Sequence, residues 1–306
     1  MGRSFHHMTP TDFAEMEKWL SSDECHDVIV QFMDRPPYGA EILAAVNQLC
    51  GRYGDKVRVS FQWENMDGSF NGTELRQLPN LGSLAILTER PVAEIRCIWE
   101  LPKIRHLSLG VKRLNDSDLL RGENLQQLVS LQISQWGTRP LDLAPIARMT
   151  QLEMLRLARP MRNVEALSRL PRLKSLYLHL LQQDAPLDSL ADIAELQELL
   201  IMSGNRTDLV ELRHPTLKNL HIQGVRGLTR FDTNPFPGLE EFSMHFQAQV
   251  TDLTCSSANA NLKRIVVLHC IRLARFHGLR DLPSLEHFAV VECPVNDEQL
   301  RNGLPS

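Results

Sequence analysis

The chain has 306 residues, 43% hydrophobic and 23% charged, with 33 Lys and Arg against 37 Asp and Glu and a net charge of −4. This composition is too apolar for a disordered polymer, and its weakly acidic balance argues against nucleic-acid binding through bulk phosphate attraction. No run approaches 18 consecutive apolar residues, and residues 1–8 lack the apolar stretch of a secretory leader, so the expectation is a cytoplasmic protein that does not engage a membrane.

Residues 9–20 read as a helix. Thr9 or Thr11 is positioned to cap it, Pro10 suits its first turn, and Phe13, Met16, Trp19 and Leu20 share one face. Residues 27–32 read as a strand, 41–49 as a helix and 57–63 as a second strand, with loops at Pro36-Pro37 and over residues 67–72. Strand, helix, strand is the unit that makes a parallel pair. Residues 1–77 are therefore expected to form an N-terminal α/β cap whose strands extend the next sheet, or else a small separate domain.

Beyond residue 77 leucine dominates, with 41 in residues 101–306 against 8 in residues 1–100. A triple recurs: apolar, two variable, apolar, one variable, apolar. It runs from Leu81-Leu84-Ile86 through Ile104-Leu107-Leu109, Leu128-Leu131-Ile133, Leu152-Leu155-Leu157 and Leu173-Leu176-Leu178. It continues as Leu196-Leu199-Ile201, Leu217-Leu220-Ile222, Leu239-Phe242-Met244, Leu262-Ile265-Val267 and Leu285-Phe288-Val290, successive copies lying 21–24 residues apart. The last two members of each triple share one face of a short strand, and the first turns inward just before it. Each copy leaves an apolar side uncovered, so neighbours must stack. Between strands, apolar residues three apart, such as Val164, Leu167 and Leu170, predict short 3₁₀ turns.

This pattern resembles the leucine-rich repeat, L-x-x-L-x-L-x-x-N/C-x-L, over about ten copies in residues 78–295. The resemblance implies an α/β solenoid with parallel strands on a concave face and short helical turns on the convex side, of the short-repeat bacterial stand-alone type. The ninth position departs from the family. It holds Glu89, Lys112, Trp136, Pro160, Leu181, Gly204, Val225 and Gln247 before a family residue returns at Cys270 and Cys293. The turns after the strands must therefore satisfy their backbone groups in other ways. Residues 296–306 form a short C-terminal cap or tail, thin cover for an open edge unless this tail or another chain crosses it.

No nucleotide-binding or catalytic motif is present, and no catalytic residue, metal site or cofactor is expected. Cys25-His26-Asp27 resembles the Cys-x-Asp motif of bacterial leucine-rich-repeat ubiquitin ligases, which carry it in a large helical domain after the repeats. This chain has no such domain, so the fragment reads as a helix end entering a strand, and a thiol enzyme is the most distant reading. Cys25, Cys50, Cys97, Cys255, Cys270 and Cys293 form no C-x-x-C pair and read as reduced thiols. The sequons at Asn71, Asn115 and Asn205 read as chance matches. His179, His221 and His245 point outward on strands. Only the last two are on neighbours, and ordinary surface imidazoles are the better reading than a metal site.

The better functional signal lies on the strand residues between and just after the second and third apolar members. The first three repeats place small or weakly polar groups there. Repeats four to eight place Arg156, Tyr177, His179, Leu200, Met202, His221 and His245, with Arg159 and Phe246 one residue further on. Arg, Tyr, Met and aromatic groups populate protein interfaces. The expected partner is another protein, bound without enzymatic turnover. An inhibitor or toxin-neutralising, immunity-type protein is the leading reading; an exported bacterial effector or a general adaptor is the alternative.

Overall fold

The computed structural model describes residues 3–5, 10–22, 27–33, 38–63, 70–111, 118–134, 140–158, 160–181, 183 and 185–295. Thr9, Cys25, His26, Pro36-Pro37, Lys112, Asn115, Trp136, Arg159 and the tail 296–306 lie outside the described residues. The chain divides into two compact units, Met1–Thr138 and Arg139–Ser306.

In the first unit, β1 (Arg3–Phe5), β2 (Val28–Phe32), β3 (Val57–Trp63), β4 (Ser83–Thr88), β5 (His106–Val111) and β6 (Ser130–Ser134) form parallel neighbours in chain order. The first of these is too short to show periodicity in sequence, and only its pairing with β2, Arg3 opposite Val28, reveals it. Two helices cross between strands. Helix α1 (Pro10–Leu20) buries Met16 and Leu20, with Phe13 and Trp19 half-buried. Helix α2 (Ala40–Tyr53) buries Leu43, Val46, Leu49 and Cys50. It runs four residues beyond the sequence expectation, to Tyr53, and Gly54 (φ 55°) ends it as its N–H bonds the Cys50 carbonyl. Strand β3 pairs with β4, Arg58 opposite Ser83 through Trp63 opposite Thr88, so the helix-connected strands and the first repeat share one parallel ladder.

The second unit stacks β7 (Met154–Ala158), β8 (Ser175–Leu181), β9 (Glu198–Gly204), β10 (Asn219–Gln223), β11 (Glu241–His245), β12 (Arg264–Leu268) and β13 (His287–Val291) in parallel, each beside its sequence neighbour. The triples set the register. Leu155, Leu176, Leu199, Leu220, Phe242, Ile265 and Phe288 stand opposite one another along the ladder. Leu152, Leu155, Leu157, Leu173, Leu176 and Leu178 are all fully buried. At the last strand, Leu285, Phe288 and Val290 are only half-buried, and among the described residues β13 has a strand neighbour on one side alone. Repeated parallel strands on an apolar interior, joined by short 3₁₀ turns, make this an α/β leucine-rich-repeat solenoid fold.

The return segments follow expectation in part. Ile95–Glu100, Glu123–Gln127, Ala144–Arg148, Val164–Arg169 and Asp188–Asp192 are 3₁₀ turns. Later repeats depart from it: Arg230–Asp232, Asp252–Thr254 and Arg275–His277 pair as a separate three-stranded parallel sheet. Each puts one apolar residue between two polar ones, and Phe231 and Leu253 are buried, with short 3₁₀ turns retained after the second and third at Ser257–Asn259 and Leu279–Asp281. Gly278 (φ 80°) then turns the chain where a Cβ would sit 1.7 Å from the Cys255 carbonyl oxygen, so only glycine fits.

Buried and half-buried side chains reach back one repeat to backbone carbonyls, several of which also accept an N–H within their own turn. The Asn124 amide donates to the Ile98 and Leu101 carbonyls (2.9 Å each), and the Asn259 amide donates to those of Thr233 and Phe236 (2.8 and 3.2 Å). His214 Nε2–H and Arg206 Nη1 do the same for Ile193 and Ala185. At the ninth position the Gln247 amide donates to the His245 carbonyl at 3.1 Å, with Gln247 fully buried.

The buried register is directly testable. Leu155→Ala removes a wholly enclosed side chain and should cost about 2–5 kcal/mol in denaturant unfolding. A loss below about 1 kcal/mol would place Leu155 elsewhere than in the interior.

Candidate functional site

Because alternate strand residues point to the same face, the outward surface of the second unit consists of rows running across the strands. One row is Arg156, Tyr177, Leu200, His221, Ser243, Val266 and Ala289; the next is Ala158, His179, Met202, Gln223, His245, Leu268 and Val291. Arg156, Tyr177, His179, Leu200, Met202, His221 and His245 therefore lie in two adjacent rows across five successive strands. Phe246 lies just past the end of β11, and Arg159 is among the residues not described.

Arg156 and Tyr177 act as a pair. The guanidinium carbon sits 4.5 Å from the ring centroid, and the Tyr177 hydroxyl donates to Glu198 at 2.7 Å. Burial, followed by this bond to a carboxylate, raises the phenol above its ordinary range. His221 and His245 occupy different rows and meet edge-on, ring centroids 4.4 Å apart. His221 hydrogen-bonds Ser243 through Nδ1 and Gln223 through Nε2 (3.3 Å), and His179 Nε2 meets the Ser203 hydroxyl at 3.2 Å. Among the described residues no group of three or more His, Cys, Asp or Glu side chains is arranged to hold a metal ion.

A third row runs beside these: Met154, Ser175, Glu198, Asn219, Glu241, Arg264 and His287. Sequence reasoning assigned outward residues only from the second apolar member onward and missed it. Extending the same alternation two residues toward the N-terminus would have found it. With Tyr177, His221, His245 and Val266, residues Glu198, Asn219, Glu241 and Arg264 line a shallow depression of about 550 Å³. A second depression, about 590 Å³, lies by the three-stranded sheet, but there Asp252 is already engaged by Arg275 and His277. The strand face keeps Leu200, Met202 and Val266 only part-buried beside polar groups.

The ends of β9 to β13 add a feature invisible in sequence. Ser203, Gly224, Phe246, His269 and Glu292 stand at equivalent positions with φ between 53° and 60°. Glycine occupies one of the five; a side chain in this left-handed region costs on the order of 1 kcal/mol. Phe246 is nevertheless 52% exposed, stacked on His269 at 4.7 Å with planes 7° apart, and His269 pairs with Glu292 at 2.7 Å.

No protein-family model matches the chain, and no curated protein matches it in sequence. Among solved structures it is similar to a leucine-rich-repeat protein of Leptospira interrogans, at 13% identity over 90% of this chain and 86% of that one, with a TM-score of 0.44. It is similar to the APL1 leucine-rich-repeat domain at 14% identity over 90% and 73% (TM-score 0.47). An internalin of Listeria monocytogenes is similar at 17% identity over 72% and 79% (TM-score 0.40). The leucine-rich-repeat fold of this chain rests on its own ten triples and its own parallel ladder. Among the described residues no helix is long and apolar enough to cross a membrane.

Burial lowers the imidazoles of His179, His221 and His245 on this face, and those of His106 and His214 elsewhere, below the ordinary 6.5. A lowered folded value means that the unfolded chain binds more protons just below 6.5. The resulting stability is fully present above pH 6.5 and is lost as pH falls through the lower folded values. The carboxylate of Asp252, held down to about 2 chiefly by Arg275, acts in a separate window, below its ordinary 3.8. The unfolding temperature should therefore already drop between pH 7 and pH 5. An unfolding temperature constant across that interval would contradict burial of these histidines.

Proposed function

We propose that the protein recognises another protein, without turnover, through the strand face centred on β7 to β11. The observation that carries this reading is the Arg156–Tyr177–Glu198 cluster, which shares adjacent rows with Leu200, Met202, His221 and His245. The pair presents a planar cation and an aromatic ring already ordered against each other, which limits the side-chain entropy lost on docking. Met202 and Leu200 supply adaptable apolar area, and the flanking Glu198, Glu241 and Arg264 supply a charged rim.

Within this reading the finer proposal is an inhibitor or immunity-type protein acting in the cytoplasm. A broad face built on a rigid ladder suits masking a partner's surface. An exported effector or an adaptor would use the same face, and the site of accumulation, cells or medium, separates the effector from the inhibitor.

With the partner isolated by affinity capture, Tyr177→Ala and Arg156→Ala should each weaken binding at least about thirtyfold, equivalent to 2 kcal/mol or more. The unfolding temperature should change little, since both side chains point away from the interior. Arg169→Ala, in an exposed position on a 3₁₀ turn, should leave binding intact. Normal binding by the Tyr177/Arg156 double variant would refute the proposed face.

Phe246 gives an independent check. Phe246→Gly relieves a left-handed backbone while deleting an exposed ring, so stability should stay within about 1 kcal/mol of the parent. Binding should fall about tenfold or more when titrated by calorimetry. Unchanged affinity would remove Phe246 from the recognition surface.

A further inference from the structure

Two of the cysteines stand apart from the others. Cys50, Cys97 and Cys255 are buried in separate parts of the interior, and burial pushes the thiols of Cys50 and Cys255 up to about 12. Such thiols are poor nucleophiles. Cys270 and Cys293 instead occupy the same turn position after β12 and β13, where the register places Leu268 opposite Val291. The parallel ladder brings equivalent residues within roughly 4.8 Å, inside the Cα separation that a disulfide spans.

Their contacts are asymmetric. The Cys270 backbone N–H donates to the Cys293 sulfur at 3.4 Å, while each thiol meets two strand carbonyls, Cys270 those of Met244 and Leu268 (3.8 and 3.6 Å) and Cys293 those of Val267 and Val291 (3.9 and 3.4 Å). Cys270 is fully buried, whereas Cys293 is only half-buried, at the last described repeat. The Cys270 thiol, its backbone N–H and the neighbouring His269 together pull the Cys293 thiol below its ordinary range, against burial and the charge of Glu292. Cys270 is pushed the opposite way. One sulfur is thus accessible and thiolate-stabilised, and the other is held behind it as a protonated donor.

We infer that Cys293 and Cys270 form a peroxide-reactive dithiol, with Cys293 as the attacking thiolate and Cys270 as the resolving thiol. In the first step the Cys293 sulfur attacks one oxygen of hydrogen peroxide. An S–O bond forms, the O–O bond breaks, and the departing hydroxide takes up a proton to become water. Cys293 is now a sulfenic acid, oxidised by two electrons, and the peroxide is reduced. In the second step the Cys270 sulfur attacks the sulfenic sulfur. The S–S bond forms, the S–O bond breaks, and the hydroxide leaves as water with the Cys270 proton. Two thiols and one peroxide give one disulfide and two waters. The resting pair is reduced, and a thiol reductant reverses the change. The site is separate from the proposed recognition of a partner through Arg156 and Tyr177.

The test uses the full chain, reduced and then treated with hydrogen peroxide under native conditions. Remaining thiols are alkylated after denaturation, and the unreduced digest is mapped by mass spectrometry. The expected result is an intrachain Cys270–Cys293 peptide pair with two thiols lost per chain, while Cys50, Cys97 and Cys255 stay alkylatable. In Cys270→Ala, the Cys293 sulfenic acid should persist long enough to be captured by dimedone; in Cys293→Ser, Cys270 should remain a thiol. The assignment is overturned if both thiols survive excess peroxide in the wild-type chain. It is equally overturned if Cys293 reaches the sulfinic acid without a bridge, or if the only bridge formed joins two chains.

Discussion

The structure depends on the inability of any one repeat to bury its own apolar triple. A strand of five to seven residues with an inward turn before it exposes one side of every leucine it carries, and only the next coil covers that side. Each triple is therefore both a knob for one neighbour and a floor for the other. The requirement fixes the register within each unit: a slip of one residue would turn every apolar side chain outward. Leu155, Leu176 and Leu199 stand opposite one another and are buried almost completely because no other alignment keeps all three dry.

A register locked from inside gives precise order on the outside. Once the triples are aligned, the residues between them have no freedom to choose their neighbours. Arg156 must lie beside Tyr177, and Tyr177 within reach of Glu198. The outward rows are a by-product of interior packing, which leaves their chemistry free to serve recognition. The left-handed backbone at the ends of β9 to β13 shows the same division. Its conformation is shared by Ser203, Gly224, Phe246, His269 and Glu292, although glycine would fit best. The ladder imposes the conformation, and the side chain at each position answers to something other than backbone ease.

Side chains away from the ninth position link one coil to the next. Where the repeat pattern offers no Asn or Cys, Asn124, Asn259, His214 and Arg206 reach back across the interior to carbonyls of the preceding coil. For Ile98, Ile193, Thr233 and Phe236 these bonds add a second donor beside a turn N–H and tie successive coils together. Where cysteine does return, at Cys270 and Cys293, the stacking of identical positions sets one thiol against the other and differentiates them by exposure and by the backbone N–H that only Cys293 accepts.

By itself the sequence determined the repeat, its period, which residues turn inward, and before it the two helices with the strands β2 and β3, because each of these is a local periodicity of apolar residues. It also pointed to Arg156, Tyr177 and the strand histidines as outward-facing, since alternation along one strand is legible from that strand alone. Tertiary structure decided what depends on two coils at once. The pairing of β1 with β2, the three-stranded sheet formed by Arg230–Asp232, Asp252–Thr254 and Arg275–His277, the Tyr177–Glu198 bond and the approach of Cys293 to Cys270 all join residues about one repeat apart. No local pattern marks such pairs. They exist because stacking brings residues more than twenty positions apart in the chain to within one strand spacing, and that distance is set by the ladder hydrogen bonds and not by any single segment.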